Sequence, residues 1–328
     1  MGAYKRQDLF NRQVQEESLD EYRKGTLSQE SYSRILLSYP EKLYTPNFFI
    51  RIALGLLTCV ALLFSSGFFG LLLATGGMAG AIFYCFLMGI TYYFVLEMFI
   101  KKKRFFNAGV DNVLMVVVIG FILSAFLINN FNESFILLSV VVTILSFYMA
   151  ARFTDAFMAS IAYIAFFVFV FLFYIKLGSL AKATAPFFML IFSAVIFLIM
   201  NFLLRKGKMN IFSFCIRSVM FLTIVTFYLS VNYFVVRKGT EEMFGLAENA
   251  VIPFGWFFWI ATFLIPAGYL VYGIRKKDFH FIRTALLLIA ATVFTIRYYF
   301  HLLPIEIAML IAGIVLIAVF YFLMRLLK

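Results

Sequence analysis

Residues 98–111, MFIKKKRFFNAGVD, decide how this chain is read. Four cations in a row, Lys101, Lys102, Lys103 and Arg104, separate the apolar runs 79–100 and 110–128. Runs of this length match what a helix needs to cross a hydrocarbon core about 30 Å thick. Cations gathered between such runs fix a loop to one side of a membrane. The pattern recurs outward from this point. Arg205, Lys206 and Lys208 form a second cluster, Arg275, Lys276 and Lys277 a third, and Arg325 and Lys328 close the chain. The clusters fall in alternate gaps between apolar runs.

Composition agrees with that reading. The 328 residues are 64% apolar and 20% aromatic, with 13% charged. Soluble domains are roughly half apolar and about a quarter charged. The bilayer must therefore be the solvent, and the fold class expected is all-α: a polytopic transmembrane helix bundle. Residues 1–47 are expected to form a short cytoplasmic head of amphipathic helices, and 48–328 the bundle. Ten spans are expected, near 49–74, 79–100, 110–128, 134–151, 156–175, 185–204, 211–235, 254–274, 282–300 and 305–324, arranged as five hairpins. Pro186 is expected in the first turn of the sixth span, where its missing N–H costs little. The gap from Val236 to Pro253 is expected to be the one sizeable loop between spans.

Charge gives the orientation. The head is neutral, so the net +12 belongs to residues 48–328. The even-numbered gaps, the C-terminus and Arg51 hold sixteen Lys and Arg. The opposite side holds five: Lys176, Lys182, Arg237, Lys238 and Arg297. The side rich in Lys and Arg is the cytoplasmic one. Both termini are expected there, in a bacterial inner membrane. The basic loops then suit contacts with anionic lipids at the inner face, and their dispersal does not suggest nucleic-acid binding.

The head reads as two short helices. Thr26 or Ser28 caps the second, whose stripe Tyr32, Ile35, Leu36 and Tyr39 follows helical spacing until Pro40. Such a stripe needs the other helix, the membrane surface or a protein partner, and these four residues are the expected partner face.

Ionisable groups inside a span are costly and are functional candidates by default. Here the centres of the spans hold no carboxylate or histidine. Glu97 is placed to pair with Lys101 four residues on, Asp111 opens the third span where the helix dipole favours an anion, and Arg217 and Arg283 are near enough to span ends to snorkel. The group left over is on the outer side. Arg297 and His301 share a helix face, and Glu306 follows Pro304. With Glu133, Asn232 or the 236–253 loop they make the candidate polar site. Pro266 is expected to kink the eighth span and free a carbonyl near Thr262. Cys59, Cys85 and Cys215 lie in spans without metal-ligand spacing. No catalytic residue, metal or cofactor is expected.

The head motif at 25–30, GTLSQE, followed at once by many spans, resembles a bacterial family of membrane proteins classed as a domain of unknown function. The closing 302–306 motif, LLPIE, before a final span and a basic end is similar to it too, and the Phe-, Tyr- and Lys-rich composition resembles that of Bacteroidota proteins. The resemblance implies no activity. Three functions fit: a non-catalytic scaffold or regulatory subunit with a partner-binding head, a transporter or lipid-handling protein with an outer polar site, and a membrane enzyme acting on a lipid-linked substrate.

Overall fold

The computed structural model describes residues 2–23, 25–73, 76–128, 135–206, 210–245, 253–276 and 278–300, with Gly313 and Ile317. The described residues form α-helices: α1 (Arg6–Arg23), α2 (Gln29–Ser38), α3 (Phe48–Leu73), α4 (Gly77–Lys103), α5 (Val110–Ile128), α6 (Phe135–Phe153), α7 (Ala156–Ile175), α8 (Ser179–Arg205), α9 (Ser213–Leu229), α10 (Tyr233–Phe244), α11 (Gly255–Lys276) and α12 (Phe279–Phe300). Eight of them are long and apolar enough to cross a membrane, and α9 with α10 passes the same test as a bent pair. The protein is an all-α, multi-pass membrane protein. The expected tenth span, 305–324, lies outside the described residues except for Gly313 and Ile317.

The basic clusters end helices. Lys101, Lys102 and Lys103 form the last turn of α4, Arg205 that of α8, and Arg275 and Lys276 that of α11. Unpaired carbonyls give a helix C-terminus partial negative charge, so these cations complement the dipole.

Two expectations change. Pro186 lies well inside α8, because the helix starts at Ser179 rather than 185. Its missing N–H withdraws a hydrogen bond from the Lys182 carbonyl, and the first turns gain the burial of Ala181 and Ala185 in exchange. The seventh span, expected straight over 211–235, is broken. α9 ends at Leu229, and α10 leaves it at 70°. α10 occupies much of what was expected to be the 236–253 loop.

The chain divides into two compact units, Met1–Phe169 with Lys206–Ser218, and Val170–Arg205 with Val219–Lys328. In the first, α4 and α5 pack most closely. Gly109 turns the chain between them at φ +92, with no room for a Cβ against the Arg51 carbonyl. The head is seated on this unit. Tyr44 donates its N–H to Arg104 and accepts from Phe106, at 2.8 and 3.1 Å. The Ala3 N–H donates to the Arg152 carbonyl at 2.8 Å, and the Tyr4 hydroxyl to the Phe105 carbonyl at 2.8 Å. Leu9, Leu43 and Phe106 bury together beneath, with Tyr4 and Ile211 packed on them.

Within the head, Ser28 caps α2 by accepting from Ser31 N–H. Tyr32, Ile35, Leu36 and Tyr39 are its half-buried positions. The Tyr32 ring stacks on Tyr22 of α1 at 5.1 Å, and Tyr39 meets Phe10 edge-on at 6.1 Å. In the second unit α11 and α12 pack closest. A Cβ on Gly273 would come within 2.9 Å of the Ile282 nitrogen, so glycine permits that approach.

Candidate functional site

The break between α9 and α10 gathers a group of buried polar residues of the second unit: Asn232, Thr262, Thr292 and Thr295. Its cause is local. Asn232 leaves the helical path, and its side-chain oxygen accepts the Val235 N–H at 3.3 Å as the N-cap of α10. The apolar run carries on past it through 233–236, which is why hydropathy alone reads straight through. A broken helix in a bilayer must have its freed backbone groups paired by neighbours. Here Tyr233 N–H donates to Thr262 Oγ1 of α11 at 2.9 Å, and Asn232 N–H still reaches the Tyr228 carbonyl at 2.9 Å.

Side chains complete the junction. Asn232 Nδ2 donates to the Tyr228 hydroxyl at 2.8 Å and to Thr295 Oγ1 of α12 at 3.2 Å. The hydroxyls of Tyr228 and Thr292 lie 2.9 Å apart. Thr292 also donates to the Thr262 carbonyl at 3.1 Å. That carbonyl is the one Pro266, four residues on, cannot bond. Tyr228, Asn232, Thr262 and Thr295 are all almost fully buried. Four helices, α9 to α12, are thus tied at one point by groups that each find a partner. Beside them Val231, Val236, Phe258 and Ala261 form an apolar cluster.

α10 carries its own charges. Glu241 accepts from Arg237 at 3.0 Å and Lys238 at 2.8 Å. The Arg237 guanidinium lies 5.0 Å from the Tyr299 ring centre, and Tyr233 stacks on Trp259 at 4.5 Å. Lys182 of α8 donates to the Met243 carbonyl at 3.2 Å, closing the far end. With 17 residues, α9 is about 26 Å long at 1.5 Å per residue, enough to cross nearly alone. A 12-residue helix bearing four charges and turned by 70° therefore suits the membrane surface rather than the hydrocarbon.

Of the candidate polar site, Asn232 is at the junction and Arg297 is in the last turn of α12, two residues after Thr295. His301, Glu306 and Glu133 lie outside the described residues. The structure joins Asn232 with Thr262 and Pro266, which the sequence placed in separate groups. Tyr228 and the Arg237–Glu241 pair were missed. The i, i+4 spacing of the pair and the Asn232-to-Val235 cap spacing were the available signals.

The first unit holds a second polar group. Glu97 pairs with Lys101 and also with Arg152 of α6, both at 2.8 Å, and Tyr93 donates to it at 3.1 Å. Asp111, in the first turn of α5, accepts the Ala108 N–H at 2.8 Å and so braces the preceding loop. Asp155 caps α7 through Met158 N–H at 2.7 Å and accepts from Asn112 Nδ2 at 3.2 Å. Burial, with Asp111 close by, pushes the Asp155 carboxyl up to about 6. Among the described residues no three His, Cys, Asp or Glu are grouped to hold a metal.

No protein-family model, curated protein or solved structure matches this chain.

Proposed function

We propose that this is a multi-pass protein of a bacterial cytoplasmic (inner) membrane, with both termini inside, acting as a non-catalytic scaffold or regulatory subunit. Its resemblance to the Bacteroidota-like family of unknown function belongs to the same proposal. The observation that carries the regulatory reading is the seat of the head. Tyr4 and Tyr44 bond directly to the backbone that follows α4, and Ala3 to that of the last turn of α6. Whatever engages the outer face of the head, where Leu37 is 83% exposed, is one layer from the bundle. Anionic lipids at the inner face would meet the exposed run from Lys101 to Arg104.

The test compares the full chain, a variant without residues 1–47, and Leu37→Asp, each cross-linked in native membranes and purified. The reading expects partners that are enriched with the full chain and lost from both variants. An identical set from all three overturns it. Fusion reporters at the two termini test the orientation, and an external signal from either refutes it.

The junction at 230–232 favours a second reading, a transporter or lipid-handling protein, since broken helices line transport sites. A cysteine placed at Thr262 in a chain without its native cysteines would then react with a water-soluble maleimide in at least one state. Complete protection counts against this reading.

A further inference from the structure

Two carboxyls in the first unit sit without a cation. Asp111 is 1% exposed and Asp155 4%. Among the described residues neither joins an ion pair. Their hydrogen bonds come from neutral donors: Ala108 N–H to Asp111, and Met158 N–H and Asn112 Nδ2 to Asp155. Burying a carboxylate without a counter-charge is costly, and a second carboxylate nearby adds to that cost.

The head lies against this place. Ala3 is bonded to Arg152, three residues before Asp155, and Leu9, Arg12 and Gln13 of α1 line one small cavity with Thr154, the residue before Asp155. The Tyr4 ring rests on Phe106 at 5.1 Å. Other groups facing Asp155 are accounted for. From the head, Arg12 acts on Tyr4 but is held by Glu16 at 2.8 Å. From α6, Arg152 is held by Glu97. From α5 come Asp111 and Asn112, and from α9 the buried thiol of Cys215.

We propose that Asp155 is a proton-operated latch for the head: protonated, it holds Ala3 and Tyr4 on their seat, and ionised, it favours their release. An ionised Asp155 gains hydration when the head lifts. A neutral one loses far less by staying covered. The latch needs only the seat of the head and holds whichever partner the head takes.

Linkage sets the scale. With the head seated, Asp155 gives up its proton at about 6. Exposed to water it returns toward the usual carboxylate value of about 3.9. The seated state therefore binds the proton more tightly, and lowering pH favours it. The seated-to-lifted ratio changes by up to about tenfold per pH unit between those values, about 100-fold in all.

Hydrogen–deuterium exchange of the full chain in neutral-lipid nanodiscs, corrected for intrinsic exchange, tests this. Protection of residues 2–10 should rise as pH falls from 7.5 to 5. Asp155→Asn should hold high protection throughout. Asp111→Asn should keep the transition but move it to lower pH. A wild-type head whose protection ignores pH overturns the proposal, as does an Asp155→Asn variant that keeps the wild-type transition. If Asp155→Asn does not fold, the wild-type profile and the Asp111→Asn shift still decide.

Discussion

Replacing Asn232 with alanine tests whether the junction holds the second unit together. The substitution removes the α10 cap at Val235 and the amide donor shared by Tyr228 and Thr295. A cap is worth about 1 kcal/mol. Side-chain hydrogen bonds between membrane helices average about 0.6 kcal/mol each. The Tyr228 hydroxyl keeps Thr292, and Thr295 keeps the Ala291 carbonyl, so no orphaned hydroxyl adds to the loss. One cap and two side-chain bonds give about 2 kcal/mol. Asn232→Ser retains a cap and should lose only about half of that. Steric trapping in bicelles measures these differences. A double-mutant cycle with Thr295→Val should show coupling near 0.6 kcal/mol. A loss below about 0.5 kcal/mol for Asn232→Ala, or no coupling to Thr295, would refute the assignment of the junction as a structural clamp.

Three further outcomes follow from the first unit. Glu97→Gln should destabilise by about 1–3 kcal/mol, because the part-buried Arg152 loses its counter-charge, whereas Lys101→Ala should cost under about 0.5 kcal/mol since that lysine is exposed; unfolding in detergent ranks the two. Asp155 binds its proton more tightly folded, at about 6, than at its ordinary 3.8, so stability falls as pH rises between these values, by at most about 3 kcal/mol. Asp155→Asn keeps a capping side chain and should therefore be more stable than wild type at pH 7 and no more stable at pH 4, which melting curves at both values check. Gly109→Ala combines a positive φ with a Cβ driven into the Arg51 carbonyl, and should cost more than about 2 kcal/mol; an unchanged melting temperature contradicts that close approach.

Much of this architecture can be read in the chain because hydropathy and length are additive along it. The runs 110–128 and 156–175 carry the same bounds in sequence and structure. Breaks are different. At 230–232 no proline or glycine marks the bend, and apolar residues continue on both sides. What stabilises it is Thr262, thirty residues away, and no local pattern reports a partner at that distance. The same holds for Thr292 and Thr295, visible as mild polar residues in a span but not as members of one junction. Pro186 shows the converse, since a residue that usually opens helices sits about two turns inside α8, whose start is placed earlier by the burial of Ala181 and Ala185. The α2 stripe was legible from its spacing, whereas the rings of Tyr22 and Phe10 that meet it belong to a pattern too weak to pick out.

The seat of the head has a consequence for biosynthesis. Ala3 bonds to Arg152, so its acceptor does not exist until about 150 more residues have left the ribosome. At about 5–20 residues per second that is on the order of 10–30 s. Until residues 104–106 have followed, α1 and α2 have emerged with nothing to dock on, and the Ala3 contact waits longer still. The stacked Tyr22 and Tyr32 rings give the pair an internal contact during that wait, and the head settles only after the fourth membrane helix is in place.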